Sequence, residues 1–580
     1  MKRLLWLILI ALLVVSCSGD QEAESAVILT PSPAGSSAPP TPLPAGATTA
    51  ARIRARGVLR VGIRYDLYPF GTINAAGQPE GFGVDMGREL AWRWIGDATA
   101  VEFRQVRSDT AVEHIQSGDV DIVIAALTHS QQWEAGADFT LPIFIDGQAL
   151  LVRGDDAALI TSPGALEGRL VGIVTWNGAE NALRAATPIT LSLQNFDRFD
   201  TAVYAMGAGE VDAIADQRRR LFWGMALQPG STIVGQYSVE PVALAFPQND
   251  AYFADMVNLT LQDMVLDSTY ATIYQRWFSQ EQPPLVEIWP EGSAETVTSA
   301  PLLAQAPLFA NVPDTIGRIQ QHGRVQVAVV PDRSPFAYFD AGGTLVGYDV
   351  SLVRLIAERW LGDPSMVDFL PASAEDGMEM VRAGQADMLI GALPHTRGNE
   401  LAMDFSTTTY IGGQGLMIWA GTPVTTVNDL AGLQVAVVDG TPSREVLLAA
   451  AQSEGVSVSI LPQASMESCL ALMNDGVVSA VAGDRIDLLG PAYQTPGLGV
   501  LPLRLTQMPL AIGLPAGDSA FRDLVNLTLQ AMRAEGQFEG LYGTWFDDGA
   551  PPQVLWPGAP YRFLRLEVAT PPPVEGEGGE

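Results

Sequence analysis

Cysteine is almost missing from this chain. Its 580 residues hold two, Cys17 and Cys469, so a fold stapled by disulfides is excluded. Positive charge is scarce too, with 33 Lys plus Arg against 65 Asp plus Glu and a formal net charge of -32. Nucleic-acid affinity depends on Lys and Arg neutralising phosphates, so this chain repels phosphate backbones, and charge alone will not hold it on an anionic bilayer. No stretch after the N-terminus is apolar for the roughly 20 residues that a membrane-crossing helix needs. What is present is an ordinary globular composition, 47% apolar and 17% charged, on a length too great for one compact domain.

Lys2 and Arg3 precede the apolar run Leu4 to Val15, the layout of a secretory signal over residues 1–16. The following Val14, Val15, Ser16 and Cys17 resemble a bacterial lipobox, with Val14 where Leu is usual. Cys17 is therefore expected to be the lipidated first residue of an extracytoplasmic, membrane-anchored chain; the alternative is a plain signal peptide with an incidental cysteine. Residues 17–51, rich in Pro, Ser and Ala, are expected to be a disordered tether, and residues 563–580 a disordered acidic tail. Cys469 falls on an apolar helix face and is expected to be a buried, inert thiol.

Between these ends the sequence repeats itself. Gly57 matches Gly323, Phe70 matches Phe336, Gly81 matches Gly347, and Asp138 matches Asp404, all at an offset of 266 residues. Toward the ends of the copies the offset becomes 268, with Val257 matching Val525 and Trp277 matching Trp545. The chain is a tandem duplication, expected to comprise domains at 52–290 and 313–562 joined by a linker at 291–312. Within each copy short apolar strands such as Leu59 to Ile63 and Leu170 to Val174 alternate with helical spacing such as Val84 to Ile95. That alternation predicts an α/β fold with βαβ units and mostly parallel sheets.

The order of landmarks resembles extracellular solute-binding protein family 3, the polar amino-acid receptors of bacterial ABC importers. In the first copy these landmarks are Gly57, Val61 and Gly62, Pro69 and Phe70, Gly81 and Asp85, Gly118 and Asp121, Asp138 to Thr140, Val211 to Ala213, and Trp277 with Phe278. The resemblance implies two tandem periplasmic-binding-protein-like modules of type II, each of two α/β lobes joined by a two-strand hinge with a ligand cleft between them. Mapped on this chain, lobe one of the first module is 53–147 plus 243–290 and lobe two is 148–242. The second module pairs 318–412 plus 508–556 with 413–507.

The resemblance also implies a site, from which both copies depart. A receptor for α-amino acids grips the carboxylate with an Arg beside a hydroxyl and meets the ammonium with an acid. In the first copy Thr128 fits the hydroxyl place but Trp133 takes the Arg place; in the second, Asn399 stands there, with Arg397 two residues earlier and Pro394 at the hydroxyl place. The ammonium partner falls on Gln217, with Asp216 one step early, in the first copy and on Asp484 in the second. A hydroxyl-bearing loop leading into a helix survives as Asp439 to Ser443, with Thr441 at its centre, whereas the first copy has Trp176 and Asn177 in that loop. Tyr65, Tyr68, Phe82, Trp133 and Trp176 are expected to give the first cleft aromatic faces suited to an apolar, ring-bearing or cationic ligand. Phe336 and Tyr348, at the places of Phe70 and Phe82, are expected at the ligand in the second.

His129 and His395, at equivalent positions, are expected to line the two clefts, and too far apart to form a metal site. Arg218, Arg219 and Arg220 read as a solvated turn, and Trp92, Trp94, Trp277, Trp360 and Trp545 as helix packing. No cofactor is implied, since Gly412, Gly413 and Gly415 lack the strand, turn and helix of a dinucleotide site. The expected partners are a small-molecule ligand, an ABC importer permease and, through the lipid, a membrane; nucleic acid is not among them. A sensing role that signals to a membrane partner uses the same fold. Dehydratase-type catalysis in the cleft needs a carboxylate-binding Arg that is out of register here, so the chain is not expected to be an enzyme.

Overall fold

The structure is a computed structural model describing residues 46–174, 179–279, 281–291, 302–308, 312–546, 551–552 and 566. Cys17, Trp176 and Asn177 lie outside the described residues. The repeat in the sequence is a repeat in space: two modules follow one another, each built on two main sheets of five or six strands with smaller two- or three-stranded sheets beside them. In the first module the strand Leu59–Ile63, buried at four of its five positions, runs parallel to Val101–Gln105 and to Ile122–Thr128. Glu240–Phe246 joins that sheet antiparallel, because the chain re-enters lobe one from lobe two in the opposite direction. Lobe two repeats the theme, with Leu170–Val174 parallel to Ser192–Phe196 and Ala213–Gln217, and the entering strand Gln148–Arg153 antiparallel. The sheets are thus mixed, not mostly parallel, and the antiparallel strands are those that carry the chain between lobes. In the second module Val325–Val329 and Gln434–Val438 are the corresponding parallel centres.

The same contacts fix the same elements twice. Helix Phe82–Ile95 buries Trp94, whose Nε1 donates to Thr260 Oγ1 at 2.8 Å; helix Tyr348–Leu361 buries Trp360, whose Nε1 donates to Thr528 Oγ1 at 2.9 Å. Asp250 caps helix Ala251–Leu266 and also accepts from the Thr49 backbone, as Asp518 caps Ser519–Ala534 and accepts from Thr315. Helix Thr49–Arg56 thus begins inside the stretch read as tether, with Ala50 fully buried against the first module. The connector packs as well: in Leu302–Gln305, Leu302 and Leu303 enter the first module's core. Trp92 departs from its expected packing and is 54% exposed.

The chain crosses between lobes at equivalent glycines. A Cβ on Gly147 would stand 2.0 Å from the Ser238 carbonyl oxygen, and one on Gly413, at φ 103°, would stand 2.4 Å from that of Thr506. Only glycine lets the two crossing strands approach so closely.

Candidate functional site

Beside each hinge lies a cluster of rings shared by strands and closing helices. Phe70 meets Phe144 edge-on at 5.0 Å, and Phe336 meets Tyr410 at 5.1 Å. Phe82 packs on Phe278 at 5.3 Å and Tyr348 on Phe546 at 4.9 Å. Phe82, Phe336 and Tyr348, expected at the ligand, are fully buried in these clusters. Sequence cannot separate the two roles, since an aromatic behind a cleft and one lining it occupy neighbouring places in the same motif.

In the first module, helix Arg218–Leu227 of lobe two packs against Asp66–Leu67 of lobe one. It brings three consecutive guanidinium groups to the hinge, none in a solvated turn. Arg218 ion-pairs with Glu281, donates to the Ile145 carbonyl at 2.9 Å and stacks over Phe144. Arg219 donates to Thr128 Oγ1 at 2.9 Å and to Gln217 Oε1 at 2.9 Å, and its Nη1 is 2.8 Å from the buried Asp146 carboxylate. Arg220 ion-pairs with Asp216 at 3.1 Å. Thr128 and Gln217 are therefore brought together across the lobes by a side chain of the protein itself, while Asp216 faces a different arginine. Burial pushes the carboxyl groups of Asp146 and Glu240 upward, and the Arg219 charge pulls both back down. Tyr65 is half-buried and Tyr68 is 43% exposed. Trp133 lies apart from them, on the apolar layer formed by Val106, Val123, Ala125 and Leu127.

In the second module, Asp484 caps helix Arg485–Gln494, accepting from the Ile486 backbone at 2.9 Å. Burial pushes its carboxyl upward, opposed by the Ile486 backbone donor and by the charge of Arg333 in lobe one. Arg333 takes the place of Leu67 in the repeat, an arginine that register counting from the hydroxyl position does not find. Thr441 donates to the Val438 carbonyl at 2.7 Å and to Ser443 Oγ at 3.1 Å, so two hydroxyls cluster where helix Ser443–Ser453 begins. Arg485 is fully buried and donates to the carbonyls of Leu501 and Leu503.

Two expected cleft residues of the second module are engaged elsewhere. Arg397 is 1% exposed and turned toward the first module, where it donates to Asp263 Oδ1 at 2.6 Å and to the Leu259 carbonyl at 3.0 Å. Asn399 spends its amide on the Pro394 carbonyl at 2.9 Å, closing its own turn. His129 and His395 line a chamber between the modules, with Glu134 and Glu400, and not the hinge clefts. Cys469 is fully buried.

Two mixed-sheet lobes joined by paired crossing strands, present twice, define a bilobal receptor architecture. The pattern described as Bacterial extracellular solute-binding proteins, family 3, matches residues 59–280 and again 325–548, and the chain belongs to that family. It is 32% identical over 243 residues to a protein named glutamine-binding protein from Geobacillus stearothermophilus, across 41% of this chain and 89% of that one. The ABC transporter glutamine-binding protein GlnH of Bacillus subtilis (strain 168) is 27% identical, across 40% of this chain and 85% of the relative. Among solved structures, an ancestral arginine-binding protein bound to glutamine is 30% identical, with a TM-score of 0.31, across 39% of this chain and 99% of that one.

Proposed function

We propose that the chain is a solute receptor held outside the cytoplasm through a lipid on Cys17, which captures a small polar solute by lobe closure and presents it to an ABC importer permease. The observation that carries this reading is the second module's lobe two, where the buried Asp484 carboxyl lies within the field of Arg333 from lobe one and the hydroxyls of Thr441 and Ser443 meet at the start of a helix. A zwitterionic amino acid needs a cation for its carboxylate and an acid for its ammonium, and contacts from both lobes bias the module toward closure. The names of the relatives support an amino acid or a related amine as the solute. In the first module the Arg219 guanidinium already joins Thr128 to Gln217, so that cleft binds amino acids more weakly. The relatives named are binding proteins, and we read this chain as a binder without catalysis.

The test is thermal unfolding of the whole protein with amino acids, amines and organic acids. A ligand at 100 times its Kd stabilises the folded state by about 2.7 kcal/mol. Polar amino acids should raise the melting temperature of the wild type and not of Asp484→Asn. An equal rise in both proteins rules out the second cleft as the site. Anchoring is checked separately by fatty-acid labelling, which Cys17→Ser should abolish.

A further inference from the structure

The two modules enclose a chamber of about 850 Å³ whose walls come from both. Glu134, Asp138 and Asp255 of the first module face Glu400, Asp404 and Asp523 of the second, and the two trios are related by the repeat. Glu287, on the strap that closes one side, adds a seventh carboxylate, and accepts from Thr408 at 3.0 Å. Among the described residues a single guanidinium, Arg522, answers them, 2.9 Å from Asp138 and 3.3 Å from Asp404. His129 and His395 are each 2.7 Å from a glutamate, Glu134 and Glu400 respectively.

We propose that this chamber is a second ligand site, for an aliphatic cation carrying two or more amino groups. Four observations carry the proposal. First, Glu134 Oε2, His395 Nδ1 and Trp289 Nε1 line the chamber on residues 7%, 5% and 4% exposed, and none has a hydrogen-bond partner among the described residues. A buried carboxylate oxygen left without a donor is costly, and an ammonium supplies one. Second, among the described residues no three acidic or histidine groups converge on a point fit for a metal ion. Carboxylates spread along a cavity suit charges spread along a flexible chain.

Third, the walls between the acids are apolar. His129 stacks on Phe139 at 4.5 Å and His395 on Phe405 at 4.4 Å, with Trp289 on the other face of the pair at 4.3 Å from His395. The edges and outer faces of such a stack accept methylene stems, and an aromatic face left open accepts an ammonium group. Fourth, the protein already places one cation there: Arg522, which stands where the first module has Ala254, lies between carboxylates of both modules. Burial raises the carboxyl groups of Asp255, Glu400 and Asp523 well above their ordinary range. A ligand touching both trios also ties the modules together. The proposal is independent of the hinge-cleft reading.

The experiment is calorimetric titration of the whole protein with spermidine at pH 7.5 and low salt, repeated in buffers of different ionisation enthalpy. One triamine per chain is expected, with net proton release and at least tenfold weaker binding at pH 5. Affinity should fall at least tenfold in the double variant Glu134→Gln, Glu400→Gln and stay unchanged in Asp484→Asn. A measurement that needs no variant compares 1,4-diaminobutane with 1-aminobutane, of which the diamine should bind at least tenfold tighter. No binding at millimolar spermidine overturns the proposal, as do equal affinities for the two butylamines or equal competition by magnesium. Binding lost in Asp484→Asn and kept in the double variant also overturns it and moves the site to the second cleft.

Discussion

Arg397 Nη2 stands 2.6 Å from Asp263 Oδ1, so a guanidinium beginning a short helix of the second module is fixed to the last turn of helix Ala251–Leu266 in the first. The side chains are 2% and 17% exposed, which makes this a buried ion pair between modules. Removing one partner of such a pair costs about 3–5 kcal/mol, mostly as the charge left behind. Arg397→Ala should therefore loosen the docking of the modules, and calorimetry should resolve two unfolding transitions at separate temperatures. A single transition at the wild-type temperature would contradict the clasp.

The Arg219 tie predicts a different phenotype. Arg219→Ala breaks the bond from lobe two to Thr128 and leaves Asp146, fully buried, without its cation. Amide exchange at Gly147 and Gln148 should quicken at least tenfold as the first module opens. The carboxyl of Asp146 is already pushed upward by burial, and it rises further without Arg219. A carboxyl whose folded pKa lies above its unfolded one favours the folded state at low pH, and that contribution is lost as pH rises. The variant should accordingly be more destabilised at pH 7 than at pH 5, and equal destabilisation at both would refute the ion pair.

Asp349 carries the same sign in the second module. It is buried, accepts from the Gly391 and Ala392 backbones at 3.1 and 2.8 Å, and burial pushes it up to about 6. Its unfolded value is near 3.8. The folded state thus binds more protons than the unfolded state between these values, and stability falls as pH rises through them, by on the order of 3 kcal/mol. Asp349→Asn keeps an acceptor for both amides and removes the titration. Urea unfolding at pH 4 and pH 7 should show a smaller pH difference in the variant than in the wild type.

Much of the architecture is legible in the sequence because strands and helices bury apolar residues with fixed periods, and two copies report those periods twice. Leu59–Ile63 and Leu170–Val174 are read at their bounds for that reason. The site is less legible. Counting register places Arg397 near a cleft, but register says nothing of which face another module covers. Arg219 lies outside the family's Arg position and reaches Thr128 only because the lobes fold onto one another. A usable signal was present nonetheless. The copies diverge at nearly every expected ligand position, yet His129 and His395, Asp138 and Asp404, and Asp255 and Asp523 remain identical.

The hinge gives the last prediction. Gly413 sits at φ 103°, and its added Cβ would fall 2.4 Å from the Thr506 carbonyl oxygen, in the bend through which the chain returns to lobe one. Gly432 also has a positive φ, 73°, but a Cβ there meets nothing within 4 Å. Alanine at Gly432 pays only the left-handed backbone cost, about 1–2 kcal/mol. Alanine at Gly413 adds a collision with backbone, which can be relieved only by moving the crossing strands apart. The two variants separate backbone strain from hinge geometry: both should lower stability, but only Gly413→Ala should weaken solute binding by the second module. Equal affinities in the two variants would show that closure does not turn on this crossing.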